Sequence, residues 1–289
     1  MSNYYDIVTL GKDIVSIELC NGQVAAMRYK NIDLIHQGSL PLDLRDKDCI
    51  SRISRGAPNY SGLEAFPFVG KPDRVFTKKG EVMNYDTHGL PRSIPFIFNG
   101  AVKDAVYFYQ THDGKTKISN IKFKESGKGP ESLDAIFPYT LNKDFYLDNG
   151  SLHIESSIKN EGFGQESFHY DFSTHPMFIA PHDYEKGVFF SGGNKSFTLA
   201  DVLREKGNVK LLDGVEMLQF VNKENGITIG FGHDFGNTMI WTPGIMQGVF
   251  GVEPKSFSGV RNVQKDTDGR YLGAQMKDYY SLNITPFEE

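Results

Sequence analysis

The chain is poor in cysteine. Cys20 and Cys49 are its two, too few for a disulfide framework and without a Cys-x-x-Cys spacing. A reducing compartment suits such a chain. Positive charge is not in excess either: 31 Lys and Arg stand against 36 Asp and Glu, a formal net charge of −5. That excludes a general nucleic-acid binder, because neutralising phosphates takes concentrated positive charge. Long apolar runs are missing. A stretch such as Ala105–Tyr109 is about a quarter of a membrane span, so no membrane partner is expected. The opening residues Met1–Asp6 show neither the basic stretch nor the apolar core of a secretory signal. A cytoplasmic location is expected, and the Asn-x-Ser/Thr sequons at Asn59, Asn149, Asn194 and Asn283 then carry no weight. Tryptophan is nearly absent, with Trp241 alone, and helical periodicity is scarce. One short helix is predicted at Thr198–Arg204, with Thr198 as its cap and Gly207 just past its end.

Phe and Tyr are abundant, at 22 and 14 of 289 residues. A chain this long can bury most of its apolar surface without staples. Strand-like runs rich in Val, Ile, Tyr and Phe flank Asn-Gly or Asp-Gly pairs, which favour tight hairpin turns. Such pairs are Asn21-Gly22, Asp113-Gly114, Asn149-Gly150 and Asn225-Gly226. Alternation is clear in Ser151–Ser157, where Leu152, Ile154 and Ser156 face one way and His153, Glu155 and Ser157 the other. No composition shift marks a boundary and no fixed-period repeat appears. The pattern predicts an all-β fold, a large antiparallel sandwich with few short helices, as a single domain over 1–289.

Several familiar motifs fail. Gly230-Phe231-Gly232 lacks the third glycine and the following helix of a dinucleotide fingerprint. In Gly192-Gly193-Asn194-Lys195-Ser196 the Gly-Lys-Ser triplet of a phosphate loop is interrupted. Both read as turns. No Gly-x-Ser-x-Gly elbow occurs. His169, His175 and His182 lack the helical i, i+4 spacing of a zinc protease, so no metal is expected.

Three segments concentrate reactive polar residues beside aromatic ones. The first, 65–92, contains Phe66-Pro67-Phe68-Val69-Gly70-Lys71 and then His88-Gly89-Leu90-Pro91-Arg92. The second is Tyr170–Phe178, centred on His175-Pro176-Met177-Phe178. The third, Ile240–Pro254, holds Trp241-Thr242-Pro243 and Glu253-Pro254. In this order they resemble the aldose 1-epimerase (galactose mutarotase) family, most nearly its shorter bacterial LacX-like branch. There a Phe-Pro-x-x-Gly-Arg segment precedes a His-Gly-Phe-Ala-Arg segment, followed by His-Pro, Trp-Ser/Thr and Glu-Pro elements. The landmarks run from residue 66 to 254.

The resemblance implies a galactose mutarotase-like supersandwich that interconverts the α and β anomers of a hexose without a cofactor. It implies Glu253 as base on the C1 hydroxyl, His175 as acid on the ring oxygen, and His88 as a hydrogen-bonding partner near that oxygen. Lys71, Arg74, Trp241 and Phe178 are the expected substrate contacts, and a small sugar is the expected partner of a monomer or homodimer. Two departures stand out. Lys71 takes the place of the family's arginine, exchanging a planar fork for a point charge, and Lys255 follows Glu-Pro where Trp is common. Lys71 and Arg74 keep open an epimerase of a phosphorylated sugar. The departures keep open a non-catalytic carbohydrate-binding protein.

Overall fold

The computed structural model describes residues 7–10, 15–20, 23–30, 32–35, 63–67, 69, 77–78, 81–85, 88–91, 93–120, 123–124, 127–135, 137–164, 167–180, 188–222, 225–242, 249–256 and 270–288. Two antiparallel sheets dominate them. The large sheet has nine strands. From one edge to the other they are Lys195–Thr198, Val188–Gly192, Met217–Asn222, Asn225–Phe231, Lys277–Glu288, Ser151–Asn160, Tyr139–Asp148, Ala105–His112 and Ile97–Val102. The second sheet runs Val209–Asp213, Asn237–Trp241, Val249–Lys255, Ser173–His175 and Leu63–Ala65, with Met177–Ile179 also paired to Val249–Lys255. A four-stranded meander from Ile7 to Asp33 joins this second sheet through an Ile35–Phe178 bridge. The expected all-β antiparallel sandwich is what the chain forms.

Aromatic side chains hold the two sheets together. Phe220 and Phe190 from the large sheet meet Phe178 and Phe250 from the second. Ring centroids lie 4.8 Å apart for Phe178–Phe220, 5.0 Å for Phe220–Phe250 and 5.3 Å for Phe190–Phe250. All four rings are buried. Edge-to-face pairs of this kind add about 0.5–1.5 kcal/mol each beyond area burial. Among the described residues most Phe side chains are thus core material, whereas of the tyrosines only Tyr139, Tyr170 and Tyr280 are buried.

The turn signals are borne out unevenly. Asn149 and Gly150 have φ of 48° and 79° and join Tyr139–Asp148 to Ser151–Asn160, as predicted. The Leu152, Ile154, Ser156 face is the buried one. The helix forms over Leu199–Arg204, with Thr198 and Asp201 in a reciprocal capping box. Asp113-Gly114 is a turn, but it does not join paired strands. Asp113 instead accepts hydrogen bonds from Lys115 N, Thr116 N and Thr116 Oγ1, while Ala105–His112 pairs with Tyr139–Asp148. Asn225-Gly226 is not a turn either. Asn225 pairs with Asn222 and opens the return strand, and the Phe287 ring packs where a Gly226 side chain would stand. Gly230 and Phe231 also lie in that strand rather than in a turn, whereas Gly193 sits in one, at φ 58°.

One core position is not apolar. Lys143 lies on the inward face of Tyr139–Asp148, between Leu141 and Phe145 in that face, and is fully buried. It forms an ion pair with Glu64 of the second sheet, equally buried. Its ammonium also lies 5.0 Å from the Phe145 ring centre. Burial pushes the Glu64 carboxyl up and the Lys143 ammonium down, and their mutual attraction opposes both shifts. Removing one partner leaves a desolvated charge, whereas replacing both leaves none. Glu64→Met alone is therefore expected to cost about 3–5 kcal/mol in urea unfolding. The double variant Glu64→Met, Lys143→Met should be nearly neutral. A double-variant loss equal to the summed losses of Glu64→Met and Lys143→Met would show that the pair is not coupled.

Candidate active site

Glu253 lies in Val249–Lys255, a strand buried over its whole length. Side chains alternate along a strand. Phe250 and Val252 enter the core, and Gly251, Glu253 and Lys255 take the opposite face. The neighbouring strands set what shares that face. On one side Trp241 pairs with Gly251, Met239 with Glu253 and Asn237 with Lys255. On the other Met177 pairs with Gly251 and Ser173 with Lys255. Between those two pairs Val252 N donates to Pro176 O at 3.1 Å. The register is therefore unbroken, and His175 stands across from Glu253. Its Nε2 is 3.6 Å from Glu253 Oε2.

His88 arrives from a different direction. It and Gly89 have φ of 66° and 72°, a conformation that costs energy for residues with a Cβ. The backbone is stapled to the edge of the second sheet to hold it there. Phe66 N donates to His88 O at 3.1 Å, and Leu90 N donates to Phe66 O at 2.8 Å. A Cβ on residue 89 would collide with the Phe66 carbonyl, so glycine is required after the histidine. Held in this way, the His88 ring meets the His175 ring edge-on, with centroids 4.6 Å apart.

Three of the sequence-derived residues therefore converge: His88, His175 and Glu253. His175 and Glu253 are 6% and 7% exposed, and His88 is half-buried. Trp241 joins them on the same face, half-buried beside Gly251. Phe178 does not. It lies fully buried against Phe220 and Phe250, because its strand alternation turns it to the core while Met177 faces the site. Phe66, another aromatic residue of the motif segments, is likewise core, packed edge-on against Tyr139 and Tyr170. Lys71 and Arg74 lie outside the described residues, as do Phe68 and His182. Among the described residues no group of three or more His, Cys, Asp or Glu could hold a metal ion, and no helix is long and apolar enough to cross a membrane.

Two neighbours were not legible as site residues. Gly251 leaves the space between Met177, Trp241 and Glu253 open: a Cβ there would lie 2.9 Å from Met177 Sδ and 3.3 Å from Glu253 Oε1. Lys255 is buried, with Nζ 3.5 Å from Asp171 Oδ2. The available signal was the run Val249–Lys255 itself, too apolar for a half-solvated strand yet carrying two charges.

Burial pushes the Glu253 carboxyl up to about 7, against the opposing pull of Lys255. The carboxyl can thus exchange a proton near neutrality. Beside it stands an imidazole, and the pair can hold one acid and one base together.

Several solved structures share this fold over nearly the whole chain. A galactose mutarotase-like protein from Lactobacillus casei superposes with a TM-score of 0.70 at 14% identity, covering 98% of this chain and 100% of that one. The GalM/aldose epimerase homologue from C. elegans gives 0.68 at 11%, covering 99% of each. Galactose 1-epimerase from Lactobacillus acidophilus gives 0.65 at 10%, covering 98% and 95%. No protein-family model matches the sequence, and no curated protein matches it. The chain has the galactose mutarotase-like fold, an all-β sandwich shared with aldose epimerase-like proteins.

The raised Glu253 carboxyl has a consequence for stability. The folded protein binds this proton more tightly than the unfolded chain, so stability falls as pH rises from about 4.5 through about 7. Glu253→Gln removes that penalty. Calorimetry at pH 8 is expected to show a higher Tm for the variant, a gain of up to about 3 kcal/mol, which disappears at pH 4. A variant no more stable at pH 8 would mean that the carboxyl is not desolvated.

Proposed function

We propose that this chain is an aldose 1-epimerase, interconverting the α and β anomers of a free hexose such as galactose or glucose. The carrying observation is the convergence of a buried carboxyl titrating near 7 with two imidazoles from separate segments. Mutarotation needs a base and an acid acting on one ring. Glu253 takes the proton of the C1 hydroxyl, and C1=O forms as the C1–O5 bond breaks. The electron pair leaves on O5, which takes a proton from His175. His88, against the His175 ring, hydrogen-bonds near O5 and shares the charge. Rotation about C1–C2 presents the other face of the aldehyde. Closure returns the O5 proton to His175 and the Glu253 proton to O1, so both groups end as they began.

Trp241, on the site face beside Gly251, offers a ring for the apolar side of the sugar. Neither a redox centre nor a net proton source is consumed.

Polarimetry on freshly dissolved α-D-galactose and α-D-glucose tests the reading. Glu253→Gln and His175→Asn are each expected to lower kcat/KM by roughly 10²–10⁴-fold while circular dichroism stays unchanged. The wild-type rate should climb as Glu253 loses its proton, with a midpoint at about 7. Folded variants with wild-type rates would sink the assignment.

A further inference from the structure

Lys255 is a buried charge on the site face that this mechanism leaves unused. It follows Glu253 by two positions in one strand, so the two side chains leave the same face about 7 Å apart. Its side chain is buried, and so is that of its partner Asp171. A buried ion pair of this kind adds little stability over an apolar pair of similar volume, so packing alone is a weak reason for a lysine here.

The pair is also unusually well fixed. Asp171 Oδ1 accepts a hydrogen bond from Ser256 Oγ at 3.1 Å, and Ser256 Oγ itself accepts from Phe172 N at 2.8 Å. One residue before Asp171, the Tyr170 hydroxyl shares a 2.5 Å contact with the Tyr280 hydroxyl and donates to Asp278. The backbone is tied at the same points: Asp171 N donates to Pro67 O, and Ser256 N to Phe172 O, both at 2.8 Å. Pro67 adjoins Phe66, the residue that staples His88.

We infer that Lys255, clamped by Asp171, is a positioning residue whose ammonium holds Glu253 in the anionic form that the base step requires. The inference rests on the proposed role of Glu253. A fixed cation at this place opposes the burial that protonates the carboxylate, and Lys255 does pull Glu253 in that direction. Around Glu253 the other potential cation among the described residues is His175, which carries charge only when protonated, whereas the ammonium is permanent. Among the described residues, the facing strand contributes His175, with His88 behind it. The strand on the other side contributes Trp241, Met239 and Asn237, none of which titrates here. Met177 fills the remaining side.

The test reads the Glu253 carboxyl directly, by infrared difference titration against Glu253→Gln, and reads kcat/KM against pH in parallel. Lys255→Met is expected to move the titration midpoint up by about one unit. Activity at pH 6 should then fall about tenfold relative to wild type, and recover at pH 9. Lys255→Met with Asp171→Asn removes both charges and serves if the single variant does not fold; it should move the midpoint the same way. Lys255→Arg keeps the charge and should stay near wild type. A midpoint unmoved in whichever neutralised variant folds would overturn the inference, as would an equal loss of activity at every pH. A midpoint that moves in a protein without mutarotase activity upholds the electrostatic coupling and overturns the role of Glu253 as base.

Discussion

The structure depends on one strand being buried on both faces. Val249–Lys255 has a partner strand on each side, with the core beneath it and the site above. Its core face supplies Phe250 to the aromatic contacts that join the sheets. Its other face carries Glu253 and Lys255 out of water. Desolvation is what lifts an ordinary carboxyl into the neutral range. The packing that stabilises the fold and the environment that raises the Glu253 carboxyl are therefore one arrangement, and neither can be altered alone.

The histidines are held by different means. His175 needs no strain: a register shared with Glu253 across Ser173 and Met177 sets it in place. His88 sits in a left-handed conformation, which the backbone accepts because Phe66 binds it from both sides and Gly89 has no side chain to clash. Strained positions of this kind persist when surrounding contacts over-determine them. Both histidines thereby depend on the 63–67 segment, since Leu63–Ala65 pairs with Ser173–His175 and Phe66 pairs with Gly89.

These dependencies explain what could be read from sequence and what could not. The strand periodicity, the short capped helix and the Asn149-Gly150 turn are local, and they were legible because local propensity decides them. The three site segments were legible as motifs because His-Gly, His-Pro and Glu-Pro each keep a backbone signature. Phe178 was misjudged for a period-two reason: it neighbours Met177, which faces the site, and so must itself face the core. Asn225-Gly226 was misread because its glycine answers a distant ring, that of Phe287, rather than a turn. Lys143, Glu64 and Lys255 were opaque because a charge inside the core is permitted only by its partner, and those partners lie far off in sequence.

Those distant partners also account for how such short strands hold a site at all. Ser173–His175 has three residues and Leu63–Ala65 has three, too few for ladder hydrogen bonds alone to fix side chains closely. Thr174 pairs with Glu64, whose carboxylate meets Lys143 of the large sheet. Ser173 pairs with Lys255, whose ammonium meets Asp171 at the entry to the same strand. Ion pairs thus engage the strands on both faces, one reaching through the core and one on the site side. Each is costly to bury and costlier to break. Slipping Leu63–Ala65 by one residue would turn Glu64 away from Lys143, and slipping Ser173–His175 against Val249–Lys255 would draw Asp171 away from Lys255 while turning His175 to the core and Thr174 to the site. The pairs add little to net stability but penalise that alternative heavily, and His175 stays opposite Glu253.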